Sequence, residues 1–212
     1  MIDAGTCGIA LFLIMSTNKL RSSIRRQRLK LPAAQQRQHA RLVSNNLTRL
    51  RHFQKARRIA LYLSANGELD PSPIAKISRR ASKQLYLPVL HPFSHGRLFF
   101  CEWREHALLQ PNRFGILEPS CHGNSRKPLR SLDLILVPLV AFDASAQRIG
   151  MGGGFYDRTL GKTRSDSSWK RPYLIGIAHE LQKVPSIKSQ KWDVPLDAVV
   201  TEAGVYRRGF RF

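Results

Sequence analysis

The sequence predicts an α/β domain with a mainly parallel central sheet, and three observations carry that expectation. Short runs of Leu, Ile and Val ending at turn residues, such as Leu134-Ile135-Leu136-Val137 before Pro138, have the composition of strands covered on both faces. Segments with apolar residues three and four apart lie between them, as helices between strands do. After Pro138 the chain reads as loop, glycine turn and helix start, the succession found at the carboxyl end of a parallel strand, where ligands gather. Strands alternating with helices place the strands side by side and the helices across the sheet.

The first 15 residues stand apart. The apolar run Gly8 to Met15 is far shorter than the ~20 residues of a membrane span, and Asp3 precedes it with no Lys or Arg, so it makes a poor signal peptide. It reads either as an N-terminal extension before a start at Met15 or as a short core strand. Residues 16–212 read as one domain, a size long enough to bury a core.

Thr17 to Lys30 has the pattern of a basic helix, capped by Thr17 or Asn18, with Leu20 and Ile24 on one side and its arginines on solvated faces. Arg21 and Arg25 stand i,i+4 apart and can reach one phosphate ligand together. Pro32 suits the first turn of a second helix whose inward face is Ala40, Val43, Leu47 and Leu50. Ile59 to Ser64 reads as the first central strand, Ala65-Asn66-Gly67 as its turn, and Glu68 as a carboxylate just past a strand end. Ser72-Pro73 starts a helix through about Gln84, with Ile74, Ile77 and Ala81 inward, and Leu85 to Val89 is the next strand, reached by a parallel crossover.

His91 and His95 have metal-like spacing only on a helix, which Pro92 and Gly96 break, so no metal is assigned there. Leu98 to Trp103 reads as a strand, and the Pro- and Gly-bearing stretch from Glu105 to Arg130 as a loop region able to cover a ligand. Thr163 to Lys170 is a polar loop. Tyr173 to Ala178 and Ala198 to Thr201 are further strands, and the basic, aromatic tail from Tyr206 to Phe212 is peripheral.

The chemistry concentrates in Arg148-Ile149-Gly150-Met151-Gly152-Gly153-Gly154-Phe155-Tyr156-Asp157-Arg158. Glycines without Cβ atoms let successive N–H groups turn inward on an anion, Arg148 and Arg158 supply forked donors for phosphate, and Asp157 offers a hard oxygen ligand for Mg²⁺. No Gly-Lys-Ser/Thr follows, which excludes a Walker A loop, and Phe155 stands where a dinucleotide fingerprint begun at Gly150 needs glycine.

The net charge of +21 over 212 residues, with no Asp or Glu between Asp3 and Glu68, attracts polyanions. Nucleic acid fits that charge, but no RNA-binding motif or zinc finger accompanies it, and ATP or a polyglutamylated ligand would be attracted equally. Cys7, Cys101 and Cys121 are an odd, widely spaced set without a CxxC pair, which argues against a disulfide scaffold or structural zinc and for a reducing cytoplasm.

Leu136-Val137-Pro138, Ala141-Phe142-Asp143 and the run from Arg148 to Arg158 resemble the signature of the 5-formyltetrahydrofolate cyclo-ligase, or methenyltetrahydrofolate synthetase, family. The resemblance extends through Leu61-Tyr62-Leu63-Ser64, Gly67-Glu68-Leu69-Asp70, Leu87-Pro88-Val89 and Trp192-Asp193-Val194-Pro195-Leu196-Asp197, and covers roughly Asn18 to Glu202. It implies a three-layer, Rossmann-like fold and the ATP- and Mg²⁺-dependent closure of 5-formyltetrahydrofolate to 5,10-methenyltetrahydrofolate, by a monomer in the cytoplasm. The γ-phosphoryl group would activate the formyl oxygen, N10 would attack the carbon, and phosphate would leave.

By the same resemblance, Arg21, Arg25, Arg148 and the loop Gly150, Met151, Gly152, Gly153 and Gly154 contact ATP, together with Phe155 and Tyr156. Arg25, Leu63, Glu68 and Phe155 contact the folate, with Glu68 on the pterin. Asp157 and Asp193 hold Mg²⁺, and Arg148 and Tyr156 are the candidates for catalysis. The chain departs from the family in having Phe155 for a common Tyr, uncharged residues at 151 and 153, and Trp192 before Asp193. Three other classes compete with this reading: an RNA-binding module, an α/β isomerase or acyl transferase using the same anion loop without ATP, and a non-catalytic folate binder.

Overall fold

The structure is a computed structural model and describes residues 16–121, 125–161 and 171–209. The N-terminal apolar run, the polar loop at 163–170 and the last three residues of the tail lie outside the described residues. The sheet is built in the order β12-β11-β10-β7-β1-β2-β3-β6 from β1 (Arg58–Ala60), β2 (Gln84–Leu90), β3 (Leu98–Glu102), β6 (Arg126–Lys127), β7 (Leu134–Val137), β10 (Tyr173–Ile177), β11 (Ala198–Val200) and β12 (Val205–Arg207). Its five central strands, β11, β10, β7, β1 and β2, are parallel. The flanking strands β12, β3 and β6 are antiparallel.

Residues alternate between two cores because a strand's side chains alternate between its faces. In β7, Leu134 and Leu136 enter one core and Ile135 and Val137 the other, all fully buried. The first core is roofed by α2 (Ala33–Thr48), α3 (Arg51–Lys55) and α4 (Ser72–Arg80) through Val43, Leu47, Phe53, Ile74 and Ala75. The second lies under α5 (Phe155–Leu160) through Leu160. Helix α1 (Thr17–Leu29) packs separately, with Leu20 and Ile24 on Val140, Ala141 and Val184. The three-layer α/β fold is therefore the one expected.

Local details differ. Helix α1 is preceded by Ser16, not capped by Thr17 or Asn18, and Ser16 makes no side-chain capping bond. The first strand stops at Ala60, short of the expected Ser64, although the Leu61 N–H still donates to the Tyr86 carbonyl of β2 at 3.0 Å. Helix α4 ends at Arg80, leaving Ala81 exposed, since Ser82 takes a left-handed φ of 53°. The stretch from Glu105 onward is not only loop: β4 (Leu109–Pro111) and β5 (Leu117–Pro119) form a hairpin. Cys101 and Cys121 form a disulfide with Cα atoms 5.8 Å apart, against the expectation drawn from the odd, widely spaced cysteines, and this removes their support for a reducing compartment; the hairpin brings the chain back to β3. The tail is not peripheral at Tyr206, which pairs in β12 and packs its ring 5.3 Å from that of Phe142.

From β1 the chain runs outward to β2, then returns across β1 to β7 and continues to β10 and β11 on the other side. The order reverses between β1 and β7, so the crevice at their carboxyl ends is the expected ligand position. The loops that leave those two ends carry Leu63 and Glu68 on one side and the glycine run on the other.

Candidate active site

One buried arginine joins the two loops. Arg28 of α1 is fully buried and donates to the carbonyl of Leu139, just after β7, at 3.2 Å and to that of Asn66, after β1, at 3.1 Å. Asn66 and Gly67 have left-handed φ values of 51° and 72°, and Gly67 lies so close to the Arg28 backbone that a Cβ would sit 3.2 Å from it. The sequence suggested a solvated face for this arginine; only its i,i+4 relation to Ile24 hinted at burial.

The turn so formed presents Glu68. Its carboxylate accepts the Ala65 N–H at 3.2 Å. Burial raises its pKa, against the opposite pull of the Ala65 N–H and of the Arg28 and Arg25 charges. Leu63 is partly buried against the first core. Tyr62 is fixed by donating to the Leu69 carbonyl at 2.9 Å.

The glycine run follows a small hairpin, β8 (Ala141–Phe142) with β9 (Arg148–Ile149). Asp143 organises it: one carboxylate oxygen accepts the N–H groups of Ser145 and Gln147, the other that of Ile187. Gly152 and Gly154 then adopt φ of 103° and 62°, values that L side chains disfavour. From α1, Arg21 Nε donates to the Gly150 carbonyl at 2.9 Å and Arg25 Nη2 to that of Met151 at 3.3 Å, so the i,i+4 pair does converge on the loop. The Gly153 backbone lies against the Phe155 ring.

Arg148 and Asp157 form a buried ion pair, Nη2 to Oδ1 2.7 Å, with only 3% and 18% of the two side chains exposed. The same Oδ1 accepts the Val194 N–H at 3.1 Å, which leaves Oδ2 without a hydrogen-bond partner among the described residues. Asp193 spends Oδ2 on the Gln190 N–H at 2.7 Å. Both carboxylates line one cleft of about 820 Å³ with Arg21, Gly150, Gly152 and Arg158.

Arg158, expected to fork onto phosphate, instead donates to the carbonyls of Gly96 and Gly153. Tyr156 packs on the second core; burial pushes its phenol pKa well up, Glu68 adds to the rise and Arg148 opposes it. Tyr156 therefore lies within electrostatic reach of both the loop carboxylate and the buried guanidinium. Phe114, at the tip of the β4/β5 hairpin, meets Phe155 edge-on with centroids 5.9 Å apart, so the hairpin reaches the start of α5. Lys191 and Arg97 also line the cleft, and neither was singled out in the sequence because a lone basic residue in a loop carries no pattern.

Comparison with known proteins shows what the chain is similar to. The model of the 5-formyltetrahydrofolate cyclo-ligase family matches residues 14–202. The chain is 40% identical over 185 residues to the 5-formyltetrahydrofolate cyclo-ligase of Escherichia coli K12, covering 86% of this chain and 98% of that protein. It is 38% identical over 187 residues to the enzyme of Haemophilus influenzae, covering 86% and 97%. Among solved structures, the NMR structure of Aquifex aeolicus 5,10-methenyltetrahydrofolate synthetase superimposes with a TM-score of 0.77 at 30% identity, covering 93% of this chain and 96% of that one.

Proposed function

Because the chain belongs to the 5-formyltetrahydrofolate cyclo-ligase family, we propose that the crevice between β1 and β7 is its active site, with the phosphates on the glycine loop and the pterin at Glu68. The protein catalyses the ATP-dependent conversion of 5-formyltetrahydrofolate to 5,10-methenyltetrahydrofolate. The observation that carries the assignment is the convergence of Arg21, the glycine loop, Asp157 and Asp193 on one cleft.

The chemical difficulty is a formyl oxygen that leaves poorly. Phosphoryl transfer to that oxygen turns it into a good leaving group, N10 attacks the carbon, and phosphate departs as the ring closes, so ADP and phosphate account for the ATP consumed. Catalysis of this kind is mainly alignment and stabilisation of phosphate charge. Arg21 and Arg25 hold the glycine loop by its carbonyls, which leaves the loop's N–H groups for phosphate oxygens. Arg148 acts chiefly by fixing Asp157. Tyr156 stays protonated through the physiological range and can donate from its hydroxyl. Phe155 and Leu63 pack against the folate, and Phe155 retains ring contact where a hydroxyl is commoner in the family.

The donor set fits Mg²⁺, since Asp157 keeps Oδ2 for it and Asp193 shares the cleft. Bound there with ATP, the ion would neutralise phosphate charge. The protein is assigned to the cytoplasm as a monomer. Among the described residues no helix is long and apolar enough to cross a membrane. The strong positive charge is read as attracting ATP and folates, polyglutamylated forms included, before nucleic acid.

Glu68→Gln tests the pterin assignment. It should weaken folate binding by about tenfold or more, the scale of a lost charge-assisted hydrogen bond, while ATP affinity changes little; equal losses for both ligands would count against it. The variant should unfold no more easily than the parent. An acid whose pKa is raised on folding destabilises the fold as pH climbs through and above its unfolded value, and Gln removes that charge. Thermal unfolding from pH 5 to pH 8 should show the variant gaining on the parent as pH rises.

A further inference from the structure

Away from the ATP cleft, three potential metal ligands meet where α2, the loop after β10 and the loop after β11 converge. His39 Nδ1 lies 3.0 Å from His179 Nδ1 and 3.2 Å from Glu202 Oε1. All three ligand atoms lie within 4.8 Å of one another. The glycine-loop chemistry makes no use of them.

We propose that His39, His179 and Glu202 form a binding site for a divalent d-block cation of the Zn²⁺ class, with water in the remaining position. Ligands about 2.0–2.1 Å from a tetrahedral metal stand roughly 3.3 Å apart, and the two distances at His39 Nδ1 are close to that. Two imidazoles with one carboxylate and an open position is a ligand set that Zn²⁺ takes readily. Mg²⁺ is a poorer occupant, because it prefers oxygen ligands in octahedral geometry.

The arrangement is also held in place. His179 is fully buried and its backbone N–H donates to Gln182 Oε1 at 2.9 Å. Gln182 is in turn anchored by its amide to the carbonyls of Leu139 and Val140, both at 2.9 Å. The Glu202 carboxylate accepts the Glu180 N–H through both oxygens, at 3.1 and 3.0 Å. Glu180 is itself fixed by the hydroxyls of Thr201 and Tyr206, each at 2.6 Å. The bonds to the Glu202 carboxylate are of the kind that orient ligands in metal sites.

Access and protonation are compatible. The His39 and Glu202 side chains are each 14% exposed, enough for an ion to enter while His179 forms the floor. With two Nδ1 atoms facing at 3.0 Å, one ring carries its hydrogen at Nδ1 in the metal-free pair, and a metal ion is accommodated when that hydrogen moves to Nε2 and both Nδ1 lone pairs face the ion. The Arg28 charge opposes a cation, whereas Glu202 and Glu180 favour one.

The test uses the untagged full chain, stripped with a chelator and titrated with Zn²⁺ by calorimetry, with Co²⁺ as a visible-absorption probe. One equivalent of Zn²⁺ should bind, and Co²⁺ should give the intense bands of a four-coordinate site. His39→Ala and Glu202→Gln should each weaken Zn²⁺ binding by at least about tenfold, the effect even outer partners have, while Asp157→Asn leaves it unchanged. Circular dichroism checks that the variants fold, and the Co²⁺ spectrum of the parent protein needs no variant. Absence of a Zn²⁺ equivalent, six-coordinate Co²⁺ bands, or binding that survives both substitutions would overturn the proposal.

Discussion

Replacing Asp157 by alanine is expected to lower turnover by about 100-fold or more, the scale of losing a group that stabilises transition-state charge, and to raise the Mg²⁺ concentration needed for half-maximal rate. It should also destabilise the fold. Arg148 has 3% of its side chain exposed and pairs with Asp157 at 2.7 Å, so alanine leaves a buried guanidinium without its carboxylate, at a cost of ~3–5 kcal/mol. The two effects separate in a double variant. Arg148→Met combined with Asp157→Leu removes both charges and should recover much of the stability in chemical denaturation, yet remain inactive. Single-variant rates with unchanged Mg²⁺ dependence would remove Asp157 from the metal site.

Replacing Arg28 by methionine should cost about 2–4 kcal/mol, the range for breaking a buried hydrogen-bond network. The Leu139 carbonyl would keep its bond from Gln182, but the Asn66 carbonyl would lose the one from Arg28. The turn that presents Glu68 is thereby released, while the glycine loop keeps its bonds from Arg21 and Arg25. Folate affinity should therefore fall by about tenfold, ~1.4 kcal/mol, with ATP affinity nearly unchanged. Denaturant midpoints and separate titrations of the two ligands check both parts. An equal loss for both ligands would mean that Arg28 supports the crevice generally and not the Glu68 turn.

The layers of the fold were legible because burial on two faces leaves an unbroken apolar run, as in Leu134 to Val137, and because helix periodicity survives in α2 and α4. What was missed depends on distant partners. Strand β12 exists because β11 offers it an edge, and nothing within Val205 to Arg207 announces that edge. The Cys101–Cys121 pairing needs the intervening hairpin. In the site, the glycine loop and the two arginines of α1 carried their own spacing, and the structure bonds both arginines to carbonyls of that loop. Arg28 was hidden because burying an arginine requires two carbonyls from loops 38 and 111 residues away in sequence. Arg158 illustrates the reverse: its side chain suited phosphate, but its Nε and Nη2 donate to the nearby carbonyls of Gly96 and Gly153. The cluster brings His39 to His179, 140 positions away, and to Glu202 further on, a distance over which no motif can be read.

The central claim is that this crevice closes the folate ring at the expense of ATP. The most direct measurement follows the near-ultraviolet absorbance of the methenyl product with purified protein, 5-formyltetrahydrofolate, Mg²⁺ and ATP, leaving out each in turn. A rise that requires all three, and that Asp157→Ala suppresses, is the predicted result. Folate binding without any rise would contradict the catalytic assignment, and a rise without ATP would contradict the proposed activation of the formyl oxygen by phosphoryl transfer.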